Sequence, residues 1–228
     1  PTPPPPPPHN TLYSSSAASD VYKRQALAFD VKEAVGVDLI EQREADMLRR
    51  VFGRWAVHPA IEILGNVDPA RRVGIVSFNI RDPKQQYLHP RLITTLLNDL
   101  FGIQSRAGCS CAGPYGHQLL GIDERKAEEY RSWINRGYHG IKPGWCRVGF
   151  HYVMDEAEVD YLIRCVEFVA EHGHRFVKAY QFDARDGRWQ HRGWEEPAMS
   201  YSLQQALDGL DESPGVLNAE DRRRLYCD

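Results

Sequence analysis

The segment Val73-Gly74-Ile75-Val76-Ser77-Phe78-Asn79-Ile80 most restricts the folds open to this chain. It is β-branched and nearly continuous in apolar content, which predicts a central strand covered on both sides. The segments around it repeat with helical period instead. Leu27, Val31, Val35 and Leu39 recur at spacing four, and Ile40, Met47, Leu48, Val51 and Phe52 continue the stripe. Leu92, Ile93, Leu96, Leu97 and Leu100 make a second apolar face, and Val159, Leu162, Ile163, Val166 and Val169 a third.

Local signals set the boundaries. Gly36 costs the first helix about 1 kcal/mol relative to alanine and invites a kink. His58-Pro59 ends that helix, because a residue before proline avoids the helical region. Ile61 to Leu64 reads as a short strand closed by a Gly65-Asn66 turn. Pro90 suits a first helical position, and Gly102 stops the helix it opens. Asp123 caps a helix running to Asn135 and halted by Gly137, while Trp145 to Tyr152 reads as a strand. Asp155 and Glu158 form a capping box, with Gly173 as the expected end of the helix that follows. Asp186-Gly187 predicts a hairpin between Tyr180–Phe182 and Trp189–His191.

Strands alternating with helices, together with a hairpin, predict an α/β (α+β) fold: a three- to four-stranded, mostly antiparallel sheet covered by helices. Residues 26–195 are the expected domain. Residues 1–25, with an unbroken proline run from Pro3 to Pro8 and a serine-rich stretch, read as a disordered or cloning-derived leader. Residues 196–228 read as a partly helical or disordered tail, with one weak helix around Leu203 to Leu210.

A formal net charge of −3 gives no electrostatic case for nucleic acid or a membrane surface. No apolar run approaches the roughly 20 residues needed to span a bilayer. Five cysteines form an odd set without disulfide rhythm, so reduced thiols in a cytoplasmic protein are expected.

The residue types that carry chemistry are concentrated between Ser105 and Arg147. In Ser105-Arg106-Ala107-Gly108-Cys109-Ser110-Cys111-Ala112-Gly113-Pro114-Tyr115-Gly116-His117, a cysteine sits in a glycine-rich loop. Arg106, His117 and backbone amides freed by Gly108 and Gly113 could lower the pKa of Cys111 toward a reactive thiolate. The alternative is a small buried residue packing a tight turn. Cys109 and Cys111 with His117 lack a fourth zinc ligand at standard spacing, so no metal site is expected. Arg147, within Gly144-Trp145-Cys146-Arg147-Val148, places a guanidinium in an apolar strand, where it needs a partner. That partner is either a bidentate carboxylate, as an amino acid offers, or an internal acid. Arg106 could orient the loop, contact the same substrate or pair with a neighbouring carboxylate.

The pattern Arg-x-Gly-x-x-Cys-Ala at Arg106, Gly108, Cys111 and Ala112, with Arg147 behind it, resembles the C-terminal small domain of class V aminotransferases. These are pyridoxal-phosphate (PLP) enzymes of fold type I that include cysteine desulfurases and selenocysteine lyases. The resemblance implies that Cys111 is the catalytic nucleophile, that Arg147 grips the substrate carboxylate, and that Arg106 and His117 also contact substrate. It further implies PLP as cofactor, an α-amino acid as substrate, a homodimer and a sulfur-acceptor protein. The family's Schiff-base lysine usually follows a histidine, and none of the six lysines here does. The expectation is therefore a C-terminal piece of a larger enzyme, inactive alone. Cys111 and Arg147 stand 36 positions apart, more than desulfurases of this family usually show, and Gly116 to Gly144 reads as an insertion. Two alternatives remain open: a PLP-dependent transaminase, epimerase or lyase without a cysteine nucleophile, and a non-enzymatic metal-binding or interaction module.

Overall fold

The computed structural model describes residues 24–109 and 113–195. The chain divides into two compact units, residues 1–43 and 44–228. In the first, helix α1 (24–35) ends at Gly36, whose φ of +90° interrupts the helix, and α2 (Val37–Trp55) begins immediately after. The expected kink is thus a break. Leu27, Phe29, Val31 and Leu39 are exposed, so the first half of the predicted apolar stripe joins no core.

The second unit begins within α2. There the stripe Met47, Leu48, Val51, Phe52 and Trp55 is buried, at the spacing of three and four that keeps residues on one helical face. Four antiparallel strands follow in the order β1-β2-β4-β3: β1 (Ile61–Leu64), β2 (Ile75–Ile80), β4 (Trp145–Gly149) and β3 (Arg106–Gly108). The mixed helix and strand architecture with a four-stranded antiparallel sheet is the one expected. Among the described residues no helix is long and apolar enough to cross a membrane.

Alternation along the strands separates two faces. Val76, Phe78 and Ile80 of β2, with Cys146 and Val148 of β4, point into the core shared with α2, α3 (Pro90–Phe101) and α6 (Glu156–Phe176). Trp55 lies 5.2 Å from Phe78, ring centre to ring centre, and closes this core. The opposite face carries Ile75, Ser77 and Asn79. β2 is central as predicted, but its second face is covered only in part: Asn79 is buried whereas Ile75 is exposed.

The helix ends obey the local chemistry. His89 caps α3 by accepting the Arg91 N–H, Pro90 occupies the first turn, and Gly102 closes the helix in the left-handed region at φ +67°. Leu92, Ile93, Leu96 and Leu97 are buried, while Leu100 is not. The Asp155–Glu158 capping box opens α6, each side chain accepting the other's backbone N–H. Gly173 does not end that helix, which runs on to Phe176. A Cβ there would stand 3.1 Å from Val169 and 3.3 Å from Leu88, so this glycine serves close helix packing.

Two further differences from expectation concern loops. β4 stops at Gly149, although Phe150 remains buried and donates its N–H to Gly74. Helix α4 (Gly113–Leu119) occupies a stretch whose glycines and proline read as loop, and its Pro114 lies in the first turn, where the missing N–H is harmless. The chain continues through α5 (Glu124–Asn135), capped by Asp123 as predicted, to a 3₁₀ turn at His139–Ile141. That turn docks on the hairpin of β5 (Tyr180–Phe182) and β6 (Trp189–His191), with His139 and Gly140 donating to the Arg185 and Ala184 carbonyls. Residues 1–23 of the expected leader, the tail and the weak helix near Leu203 lie outside the described residues, while Arg24 and Gln25 of that leader open α1.

Candidate functional site

β3 and β4 bring two arginines together. In their antiparallel register Arg106 stands directly opposite Arg147, which in turn stands opposite Ser77 of β2. Residues so paired project from the same face with Cβ atoms about 4.5–5.5 Å apart, and like charges placed so repel. Among the described residues neither arginine has an ion pair or a side-chain hydrogen bond. The internal acid that sequence reasoning allowed as a partner for Arg147 is therefore not found among them.

Both arginines line a cavity of about 390 Å³, with Ile75, Ile103, Gln104, Ser105, Val148, Gly149 and Leu162. None of these lining residues is acidic. The Ser105 hydroxyl oxygen is buried without a hydrogen-bond partner. Two unpaired guanidinium groups make a donor-rich, cationic recess, and guanidinium forks match carboxylates bidentately. An anion placed there would remove the repulsion between the arginines.

The remaining sequence candidates are placed differently. Cys111 lies outside the described residues. Cys109 is exposed on the same loop. Cys146 is buried and donates its thiol to the Pro90 carbonyl at 3.1 Å, and burial pushes that thiol far above the usual range. Burial likewise raises the Cys165 thiol. Both buried thiols are packing residues. His117 sits in the last turn of α4, half-buried, and is not among the residues lining the arginine cavity. Among the described residues no three His, Cys, Asp or Glu side chains converge as metal ligands.

Sequence reasoning missed Ser105 and Ile75 as site residues, and it missed the role of His89. The signal for the open face was present in β2, where Ser77 and Asn79 alternate with apolar neighbours inside an otherwise apolar run. His89 fastens the 3₁₀ turn at His139–Ile141 to the start of α3. Its Nδ1 accepts the Arg91 N–H, so Nε2 carries the proton and donates to the Gly140 carbonyl at 2.8 Å. Burial lowers its pKa, opposed by the Gly140 bond and reinforced by Arg91.

A PLP site needs a lysine for the Schiff base and an Asp or Arg beside the pyridine nitrogen. The arginine cavity contains no lysine. A second cavity that contains Lys126 and Lys142 includes neither aspartate nor arginine. The described residues therefore do not assemble a PLP site.

No curated protein sequence matches the chain. Among solved structures the chain is similar to the apo structure of cysteine desulfurase from Thermococcus onnurineus NA1, at 25% sequence identity and a TM-score of 0.44. That similarity covers 60% of this chain and only 28% of the other. The family model for "Aminotransferase class-V" matches residues 20–162, more than half of the chain, which includes β1 to β4 and both arginines. The chain belongs to the class V aminotransferase family.

Proposed function

We propose that this chain supplies the carboxylate-binding part of a PLP-dependent enzyme acting on an α-amino acid. The observation that carries the proposal is the direct opposition of Arg106 and Arg147 in one acid-free cavity. Arg147, half-buried on the inner strand β4, takes the substrate α-carboxylate bidentately. Arg106, on the edge strand β3, supplies a second positive charge and holds the start of the cysteine loop. The PLP lysine and pyridine partner come from residues outside those described, in a larger enzyme of which this chain is the C-terminal piece and which pairs as a homodimer.

Within this reading, Cys111 is the sulfur acceptor of a cysteine desulfurase. It follows Arg106 by five residues and the end of β3 by three. The exchange of cysteine plus enzyme thiol for alanine plus enzyme persulfide balances without an external oxidant. A carboxylate held by a guanidinium fork is worth roughly 1.5–3 kcal/mol. In the PLP-loaded enzyme, Arg147→Ala should therefore raise KM for every amino-acid substrate by about 10- to 150-fold. Cys111→Ser should abolish alanine formation from cysteine while leaving substrate affinity unchanged. Unaltered KM in Arg147→Ala would reject the carboxylate assignment. Full desulfuration by Cys111→Ser would leave a transaminase or lyase without a cysteine nucleophile.

A further inference from the structure

The insertion after the cysteine loop encloses a second cavity of about 390 Å³ over the Asn79 end of the sheet's open face. It shares no lining residue with the arginine cavity. Its volume falls within the range of small-molecule sites, roughly 300–1,000 Å³. Asn79 lies on β2 two residues beyond Ser77, and so on the face that carries the two arginines. Only 4% of Asn79 is exposed, yet its side-chain amide has no hydrogen bond among the described residues. A nearly buried amide that meets no partner among the described residues is a poor packing residue and a good recognition group.

The rest of the lining indicates what would reach it. Lys126 of α5 and Lys142 beyond the 3₁₀ turn border the cavity, and Tyr130 lies one helical turn from Lys126. Neither lysine has an ion pair among the described residues, and no described lining residue is acidic. Two other polar lining residues are already engaged. His89 holds Gly140 and the Arg91 N–H, and the Tyr87 hydroxyl donates to Glu62 and accepts from Arg81. Leu120, Ile122 and Ile141 provide apolar lining to the same cavity.

We propose that this cavity binds a small aliphatic carboxylate bearing an uncharged polar group at its other end, an ω-amide or ω-hydroxy acid. Its carboxylate pairs with Lys126 and Lys142, its methylene stem lies on Leu120, Ile122 and Ile141, and its amide or hydroxyl exchanges hydrogen bonds with Asn79. The assignment does not depend on what the arginine cavity binds.

The test titrates the ¹⁵N-labelled 228-residue chain with glutaramate, with valerate and with inorganic phosphate, following the Asn79 side-chain NH₂ signals by NMR. Glutaramate should shift these signals and those of the neighbouring Leu120–Ile122 and Ile141–Gly144 backbone. Valerate lacks the polar end and should bind at least about tenfold more weakly, because it leaves Asn79 unpaired. The double variant Lys126→Ala, Lys142→Ala changes only exposed side chains, and it should weaken glutaramate at least about tenfold. The double variant Arg106→Ala, Arg147→Ala should bind glutaramate as the parent does. The proposal fails if glutaramate leaves Asn79 unshifted at tens of millimolar, if phosphate or valerate binds equally well, or if loss of the arginines abolishes the response.

Discussion

Gly144 lies so close to Gly108 that a Cβ on Gly144 would stand 2.5 Å from the Gly108 carbonyl carbon. Gly108 ends β3 and leads into the cysteine loop, while Gly144 immediately precedes β4. The contact is backbone against backbone, with no flexible side chain to give way. It fixes the separation of the two strands that carry Arg106 and Arg147.

Gly144→Ala should therefore force β3 and β4 apart. Overpacking of this kind costs about 1–3 kcal/mol, or a fall in Tm of roughly 2–12 °C for a domain this size. Thermal unfolding followed by circular dichroism measures it. Gly53→Ala is the contrast. That glycine sits in α2 with no atom within 4 Å of an added Cβ, so alanine should raise stability by about 0.5–1 kcal/mol. An unchanged Tm in Gly144→Ala would mean that the two strands are not held by this contact.

His89 makes stability depend on pH in a defined direction. Burial lowers its folded-state pKa below the unfolded value of about 6.5. Between those two values the unfolded chain binds more protons, so stability rises with pH across that interval. The contribution is fully present above about pH 6.5 and is lost as pH falls through the folded pKa. Protonation of Nδ1 also removes the cap on the Arg91 N–H and so loosens the start of α3. Denaturant unfolding between pH 5 and 8 should show a steeper acid loss for the parent than for His89→Gln, which does not titrate there. Equal slopes would assign the acid sensitivity to other groups.

The thiols should separate by environment. Cys109 is exposed, whereas Cys146 is buried, hydrogen-bonded to Pro90 and held protonated. Iodoacetamide at neutral pH should label Cys109 in the native chain and reach Cys146 only after denaturation. Peptide mapping by mass spectrometry distinguishes the two. Native labelling of Cys146 would show that the core between β4 and α3 opens readily.

Most of the scaffold was legible because its signals are local. Asp155 with Glu158, Pro90 with Gly102, and the apolar run through Ile80 each specify their element from neighbouring residues alone. Gly173 misled because a glycine required for close helix packing looks, in sequence, like a glycine that ends a helix. Helix α4 was hidden because Gly113, Pro114 and Gly116 have low helix propensity, which tertiary context overrode. The pairing of Arg106 with Arg147 was illegible for a different reason. Strand register is set by contacts between residues 41 positions apart, and no local pattern encodes it. The cavity beside Asn79 depends likewise on where the insertion folds.

The opposed arginines are the centre of the account, and their own side-chain signals report on it most directly. In the ¹⁵N-labelled chain, the Arg106 and Arg147 Nε–H resonances should both shift as an α-amino acid such as L-alanine is added. Arg147→Ala should weaken that binding by about 10- to 150-fold. Arginine signals that stay fixed at saturating amino acid, or equal affinity in Arg147→Ala, would contradict the assignment of this cavity to the substrate carboxylate.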